Sequence, residues 1–210
     1  MPTLLHSTLR YILFYKPYGV LSQFTPEHGH RSLRDFGPFP PDVYPAGRLD
    51  LDSEGLLLLT NDRYVKHRLT DPRFAHPRTY FVQVEGVPEN ATLEKLRNGI
   101  VIEGIKTKPA EVQLLPEEPR LPPRPVPIRF RKQVPTTWLT ITLREGRNRQ
   151  VRKMTAAVGH PTLRLIRTAR GTLTLGQLLP GEWRELSDAE REALMQALGI
   201  RKALLHRGRS

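Results

Sequence analysis

Residues 46–62 read AGRLDLDSEGLLLLTND, and they set the architecture of the whole chain. Three acids at alternating positions, Asp50, Asp52 and Glu54, precede a glycine and four consecutive leucines. Carboxylates beside an apolar segment are paired or put to use, because a buried unpaired charge is costly. The leucine run predicts a short buried strand at residues 56–60. We therefore expect a functional site where the acids meet this strand.

The remaining sequence reads as short strands separated by helices. Apolar periodicity and capping residues predict strands at residues 11–15, 80–85, 101–102, 110–115, 137–143, 162–167 and 182–186, and helices at residues 62–69, 92–97, 150–158 and 188–198. The sequence contains no internal repeat. Many short strands with interspersed helices are typical of an α+β fold with a mixed, mostly antiparallel sheet and flanking helices.

The charge of the chain indicates its partner. A formal net charge of +12 and a sequence pI near 10.4 favour an acidic partner, for which nucleic acid and anionic membrane are the usual candidates. No apolar run approaches the roughly 20 residues that span a bilayer, and the first residues lack a secretory signal. We therefore expect a cytoplasmic protein without a membrane partner. Because the sequence has no cysteine, disulfides, thiol chemistry and cysteine-bound zinc are excluded.

Residues 116–135 form a proline-rich segment with seven of the twenty prolines, five cations and two acids. Proline removes backbone donors and fixes φ, so this segment is predicted to be extended rather than part of a sheet. It is either a linker between two domains or an RNA-facing insertion within one, and its charge favours the insertion. We predict one main domain at residues 1–190, followed by a helix and basic tail at residues 191–210.

Two kinds of metal site could use the three acids. A calcium loop matches in its first half, but its ninth and twelfth positions are Leu58 and Asn61, so the closing carboxylate is missing. A two-metal nuclease would need further acids or histidines in ligand-like positions, and none is evident. No metal is therefore expected. Asp52 and Glu54 are interpreted as acids that shape the turn and pair with arginines, whereas Asp50 is harder to explain in that way.

The predicted helix at residues 150–158 separates an apolar face from a cationic one. At about 100° per residue, Val151, Met154, Thr155 and Val158 fall on one side, and Arg149, Arg152 and Lys153 fall on the other. Such a cationic face can simply be solvated. The glycine turn at residues 145–148 favours phosphate binding instead, because it leads into a helix N-terminus with free backbone N–H groups.

Several of these segments resemble the motifs of one enzyme family. The catalytic motif of RNA pseudouridine synthases of the RsuA type resembles two neighbouring segments of this chain, GRLD at residues 47–50 and DSEGLLLLTN at residues 52–61. Further segments resemble that family's other motifs in the same order: KP at 16–17, RTY at 78–80, EGRNRQVRKM at 145–154, LRLIR at 163–167 and GEWR at 181–184. The resemblance implies a pseudouridine synthase fold with a central RNA-binding cleft. It also implies an isomerase that turns uridine into pseudouridine without a cofactor.

A narrower resemblance concerns the start of the chain. Several relatives in the family carry an N-terminal S4-type RNA-binding module, for which no room is expected before the strand that begins near Tyr11. Three features together resemble the family's large-subunit synthase E branch, which modifies 23S rRNA. They are the expected lack of an S4-type module, the sequence PYGVLSQFT at residues 17–25 and the proline-rich segment. The resemblance therefore implies 23S rRNA as the partner, either free or in an assembling large subunit. We expect a monomer.

The resemblance also implies roles for single residues. Asp50 is expected to act at the ribose of a flipped-out uridine, either as a nucleophile or as a base. Arg152 matches the arginine that pairs with this carboxylate, which leaves Arg147 and Arg149 for phosphates. A non-catalytic RNA-binding or ribosome-assembly factor on the same fold is the alternative function, and it would not depend on Asp50.

The flipped uracil needs a flat surface to hold it. Tyr80 matches the family's stacking tyrosine, and its hydroxyl could help to move the proton from the uracil carbon. Leu165 or Ile166 is expected to pack on the other side of the base. Arg48 is expected to help flip or replace the target nucleotide, and Lys153 is expected to contact RNA.

Overall fold

The computed structural model describes residues 8–128 and 133–200. In this part of the chain the strands are β1 (Tyr11–Lys16), β2 (Tyr44–Pro45), β3 (Glu54–Thr60), β4 (Arg78–Glu85), β5 (Val101–Ile102), β6 (Ile105–Lys106), β7 (Glu111–Leu114), β8 (Thr136–Leu143), β9 (Thr162–Arg170), β10 (Leu173–Thr174) and β11 (Trp183–Glu185). The helices are α1 (Arg63–Thr70), α2 (Asn90–Arg97), α3 (Gln150–Ala157) and α4 (Asp188–Ala197). None of the described helices is long and apolar enough to cross a membrane.

Every predicted strand and helix is present, and their ends shift by only a few residues. For example, α1 begins after Asp62, whose side chain accepts hydrogen bonds from the N–H groups of Tyr64 and Val65 as a helix cap. The predicted basic tail from Arg201 onward, and residues 129–132 of the proline-rich segment, lie outside the described residues.

Nine of the described strands form one sheet in the order β11-β1-β3-β9-β4-β8-β7, with β2 on β3 and β10 on β9. β3 and β9 run parallel, and the other neighbouring pairs in this sheet are antiparallel. The predicted α+β fold with a mixed, mostly antiparallel sheet is therefore confirmed. The central parallel pair brings the acidic segment before β3 next to β9.

The leucines of β3 are buried on both faces of the sheet. Leu56 and Leu58 pack into a core cluster that includes residues of α1 and α4. Leu57 and Leu59 pack on the opposite face, together with residues of the loop between β1 and β2. A strand that is covered on both faces reads as a continuous apolar run rather than an alternating one, which explains the four leucines.

The glycine at position 55 is required by the close approach of β3 to β9. β3 begins at Glu54, two residues earlier than predicted, because Gly55 pairs with Arg167 on the parallel strand. Gly55 has a φ of +106°, and a methyl group on it would lie 2.7 Å from the Arg167 backbone nitrogen. A side chain at this position would therefore both strain the backbone and separate the two central strands.

We expect Gly55→Ala to lower the free energy of unfolding by at least about 2 kcal/mol in urea denaturation, because backbone strain and overpacking both contribute. Gly159→Ala is the matched control, since Gly159 has a similar φ of +86° but no atom within 4 Å of the added methyl group. Equal losses in the two variants would contradict the close strand approach as the reason for Gly55.

Candidate active site

A cavity of about 640 Å³ opens on one face of the sheet, where β4 and β9 lie side by side. This volume is in the range of about 300–1,000 Å³ that is common for small-molecule sites. Six of the nine predicted site residues line it: Arg48, Asp50, Tyr80, Arg147, Arg149 and Leu165. Arg152, Lys153 and Ile166 do not. Within the residues that the structure describes, no group of three or more acids or histidines is arranged to hold a metal ion.

Asp50 lies in a short loop whose backbone is held by two neighbouring contacts. The Leu49 N–H donates to the Ser22 hydroxyl at 3.0 Å, and that hydroxyl donates back to the Leu49 carbonyl at 2.8 Å. The Gly19 N–H donates to the Leu51 carbonyl at 2.8 Å. The Asp50 side chain itself remains 34% exposed. A fixed backbone with an accessible carboxylate is the arrangement that a reacting group needs.

Arg149, at the start of α3, links two of the acids. Its guanidinium makes a forked pair with Asp52 at 2.8 and 2.7 Å, and it lies 3.8 Å from the Asp50 carboxylate. Burial acts to raise the pKa of the Asp52 carboxyl, but the Arg149 hydrogen bonds and the Arg152 charge outweigh it and lower that pKa. Asp50 therefore has a cation nearby while it stays open to the cavity.

The predicted pairing of Arg152 with Asp50 is wrong. Arg152 donates to the Asp52 backbone carbonyl at 2.7 Å and lies 3.4 Å from the Asp52 carboxylate. The reason is its position one helical turn further into α3, where it reaches the turn behind the cavity rather than the cavity itself. The expectation that Arg149 binds phosphates stays a prediction: its guanidinium is paired with Asp52, but its side chain is still 42% exposed.

Tyr80 and Leu165 face the cavity from neighbouring strands. They are 9% and 5% exposed, and the antiparallel register pairs Tyr80 with Arg167 and Val82 with Leu165. Ile166 is fully buried in the core on the opposite face, because successive residues of a strand alternate in direction. Of the two residues predicted to pack on the base, Leu165 is therefore in the right place and Ile166 is not.

The other predicted RNA contacts differ in how far they are already engaged. Arg147 lines the cavity but also donates to a backbone carbonyl of β6 at 2.8 Å. Lys153 pairs with Glu103 at 2.8 Å and points to the turn of the β5–β6 ribbon outside the cavity, so its contact with RNA stays a prediction. Arg48 is exposed at the mouth of the cavity and makes a hydrogen bond of 3.4 Å to the Gln23 side chain.

Three arginines without a predicted role also line the cavity: Arg78, Arg167 and Arg170. Arg167 and Arg170 are 2% and 3% exposed. Arg167 donates to the Leu56 carbonyl at 2.8 Å, and Arg170 donates to two backbone carbonyls, including that of Ala46. Burial lowers the pKa of both guanidinium groups. The signal for these two was present in LRLIRTAR at residues 163–170, where arginines interrupt a strand predicted to be apolar.

Glu54 forms a forked ion pair with Arg164 inside the protein, with both distances 2.8 Å. Their exposed fractions are 2% and 6%. Burial acts to lower the pKa of Arg164, but the bonds to Glu54 outweigh it and raise that pKa. The interpretation of Asp52 and Glu54 as acids that pair with arginines is therefore confirmed.

The described part of the proline-rich segment forms no strand or helix, which agrees with its predicted exclusion from the sheet, and it lies against the loop after β1. The guanidinium of Arg124 lies 4.1 Å above the centre of the Tyr18 ring. The Pro122 carbonyl accepts a hydrogen bond of 2.9 Å from Arg164, and Leu121 packs against the core. These contacts fasten the segment beside the acidic turn.

Lys16, at the end of β1, is fully buried among backbone acceptors and acids. Its Nζ donates to the carbonyls of Pro17 and Val20 at 2.9 and 2.7 Å, which shapes the loop below Asp50. Desolvation lowers the pKa of Lys16 to about 7, although the charges of Glu54, Asp52 and Asp50 oppose the shift. The folded protein therefore binds this proton more weakly than the unfolded chain does.

Relative to Lys16→Met, the wild-type protein should gain about 3 kcal/mol of unfolding free energy between pH 6 and pH 9. The unfolded chain keeps the Lys16 proton up to its ordinary pKa of 10.5, whereas the folded protein loses it near 7. The stabilising contribution of neutral Lys16 is therefore complete above pH 10.5, decreases as the pH falls, and is lost once the pH has fallen through 7. Urea denaturation of both proteins across this range measures the difference, and a difference that does not change with pH would contradict it.

Comparisons with known proteins bear on this site. Residues 10–157, which include the acidic segment, β4 and α3, match the family model described as RNA pseudouridylate synthase. The chain is 54% identical over 176 residues to the ribosomal large subunit pseudouridine synthase E of Vibrio vulnificus, covering 84% of this chain and 74% of that protein. It is 55% identical over 175 residues to the protein of the same name from Xanthomonas campestris pv. campestris, covering 82% and 93%. The chain also resembles the crystal structure of a pseudouridylate synthase, with a TM-score of 0.73 at 30% identity, covering 89% of this chain and 74% of the other.

Proposed function

The chain belongs to the RNA pseudouridylate synthase family, and on this basis we propose that it converts a uridine of 23S rRNA to pseudouridine with Asp50 as the reacting carboxylate. As a member of this family it is an isomerase that acts on RNA. The reaction breaks the C1′–N1 bond, rotates the uracil and forms a C1′–C5 bond. The proton on C5 is lost and N1 gains one, so atoms and electrons balance within the nucleotide.

The observation that carries the proposal is the position of Asp50. Of the three acids in residues 50–54, Asp50 lines the cavity, whereas arginines hold Asp52 and Glu54. An accessible carboxylate at the ribose can act either as a nucleophile or as a base. The Arg149 guanidinium lies 3.8 Å from the Asp50 carboxylate and so places a cation beside the proposed reacting group.

In the proposed complex the flipped uracil stacks on Tyr80, with Leu165 beside it. Such stacking is typically worth about 1–3 kcal/mol per base. Tyr80 and Arg167 are register partners on β4 and β9, and both line the cavity. This position supports a role for the Tyr80 hydroxyl in moving the C5 proton.

The proposed substrate is ribosomal. Two relatives that are more than half identical to this chain are named for the ribosomal large subunit, and the chain spans 93% of one of them. A net charge of +12 supports binding to a long polyanion. We propose 23S rRNA, free or in an assembling large subunit, as the substrate of a monomeric enzyme, which agrees with the expected cytoplasmic location.

In the proposed organisation, residues 1–190 form the catalytic domain and residues 191–210 a C-terminal helix and basic tail. The proline-rich segment is an RNA-facing insertion in that domain. The stacking of Arg124 on Tyr18 supports this role, because the next residue, Gly19, donates its N–H to the Leu51 carbonyl and so holds this loop beside the acidic turn.

The test is tritium release from a 23S rRNA transcript that contains 5-tritiated uridine. The wild-type protein should release tritium as C5 loses its proton, and a 16S transcript serves as the control substrate. No release from any rRNA transcript would contradict the enzyme and favour the non-catalytic RNA-binding factor. Release from 16S rRNA alone would contradict the large-subunit substrate but not the activity.

A further inference from the structure

A second groove, of about 480 Å³, lies beside the catalytic cavity. Ser22, Gly47, Arg48 and Thr70 line both spaces, so the groove and the cavity adjoin each other. The remaining walls come from residues 23–25, from β2 and from α1. An RNA strand that places one nucleotide in the cavity must place its neighbour close by, and this groove is an adjoining space of suitable size.

Tyr44 on β2 presents a flat apolar surface to this groove. Its side chain is 57% exposed, although its backbone is fixed by pairing with Thr60 on β3. The next residues along the chain are held as well, since the Ala46 N–H donates to the Leu58 carbonyl at 2.8 Å. An exposed aromatic ring on a rigid strand offers a stacking surface that needs little further ordering.

Cations flank the Tyr44 ring. The Lys66 ammonium lies 5.9 Å from the ring centre, and Arg48 is exposed between the groove and the cavity. Among the described residues that line the groove, none is acidic. A stacking surface with positive charge on its rim fits a nucleotide, which carries both a base and a phosphate. An acidic protein segment would fit the cations but would leave the ring without a matching partner.

We propose that this groove binds an unpaired nucleotide next to the target uridine, with its base on Tyr44 and its phosphate at Lys66 and Arg48. The proposal rests on the proposed function, because it takes RNA to be the occupant of the adjoining cavity. It makes Tyr44 a residue that selects RNA with an unstacked neighbour beside the modified uridine.

Steady-state tritium release from the labelled 23S transcript tests this role. Tyr44→Ala should raise KM at least about fivefold, with the effect on KM rather than on kcat, because stacking is lost but the reacting groups are unchanged. Tyr44→Phe should restore the wild-type KM, since the ring is kept. Tyr64→Ala is the matched control, because Tyr64 is 49% exposed with the Arg68 guanidinium 6.0 Å above its ring, yet it does not line the groove.

A photocrosslinking experiment separates this proposal from the proposed function. A 23S transcript that contains 4-thiouridine is irradiated with the full-length wild-type protein, and the crosslinked peptide is identified by mass spectrometry. A crosslink at Tyr44 supports the groove even if the wild-type protein releases no tritium, in which case only the proposed function fails. Normal release with an unchanged KM for Tyr44→Ala and no crosslink at Tyr44 would overturn the groove. No release and no crosslink would overturn both.

Discussion

Replacing Asp50 with asparagine should abolish tritium release from 23S rRNA, lowering the rate at least about a thousandfold. Asparagine keeps the shape of the side chain but removes its charge, so neither a nucleophile nor a base remains. The fold should persist, because the side chain is 34% exposed and the hydrogen bonds between Ser22 and Leu49 hold the loop. Thermal unfolding and filter binding of the transcript should therefore match the wild-type protein.

Two further carboxylates serve as controls for this variant. Asp52→Asn should reduce the rate less, because Asp52 orders Arg149 and does not line the cavity. Asp188→Asn should leave the rate unchanged, since Asp188 is 93% exposed on α4. If Asp50→Asn releases tritium normally, Asp50 is not the reacting carboxylate. If Asp52→Asn instead abolishes release, the two acids have exchanged roles.

The fold was predictable where the local sequence pattern is compatible with only one kind of secondary structure and burial. A run of four leucines bounded by a glycine can be buried on both faces only in a central strand, and β3 is such a strand. That β3 and β9 are neighbours in the sheet was not predictable from the local pattern. It depends on pairing between residues more than a hundred positions apart, and the requirement for Gly55 follows from that pairing.

Most members of the site were predictable, but their pairings were not. Arg149 and Arg152 are three residues apart, and either could reach Asp50 until the angle at which α3 meets the acidic turn is known. Leu165 and Ile166 are adjacent, so only the register of β9 against β4 decides which one faces the cavity. Sequence patterns thus identify the helix and the strand, and the tertiary contacts select the side chain.

Replacing Arg164 with methionine should lower the free energy of unfolding by about 3–5 kcal/mol. Methionine keeps an apolar stem of similar length but removes the guanidinium, so Glu54, at 2% exposure, loses its partner in the interior. Urea denaturation measures the loss. The matched control is Arg184→Met, because Arg184 and Glu190 form an equally short forked pair at 2.7 Å with 41% and 29% exposure. That variant should lose about 1 kcal/mol or less.

A double variant, Glu54→Leu with Arg164→Met, distinguishes two causes of the lost stability. One is the unpaired charge of Glu54, and the other is the loss of the packing and hydrogen bond of the Arg164 side chain. Removing both charges should recover most of the stability that Arg164→Met loses, since two apolar side chains can replace a buried ion pair. Glu54 also supports the charged form of Lys16, whose pKa is about 7. The recovery should therefore be larger at pH 9, where Lys16 is neutral, than at pH 6. Equal losses in the single and double variants at pH 9 would show that Arg164 acts through its bond to Pro122 and its packing, rather than by neutralising Glu54.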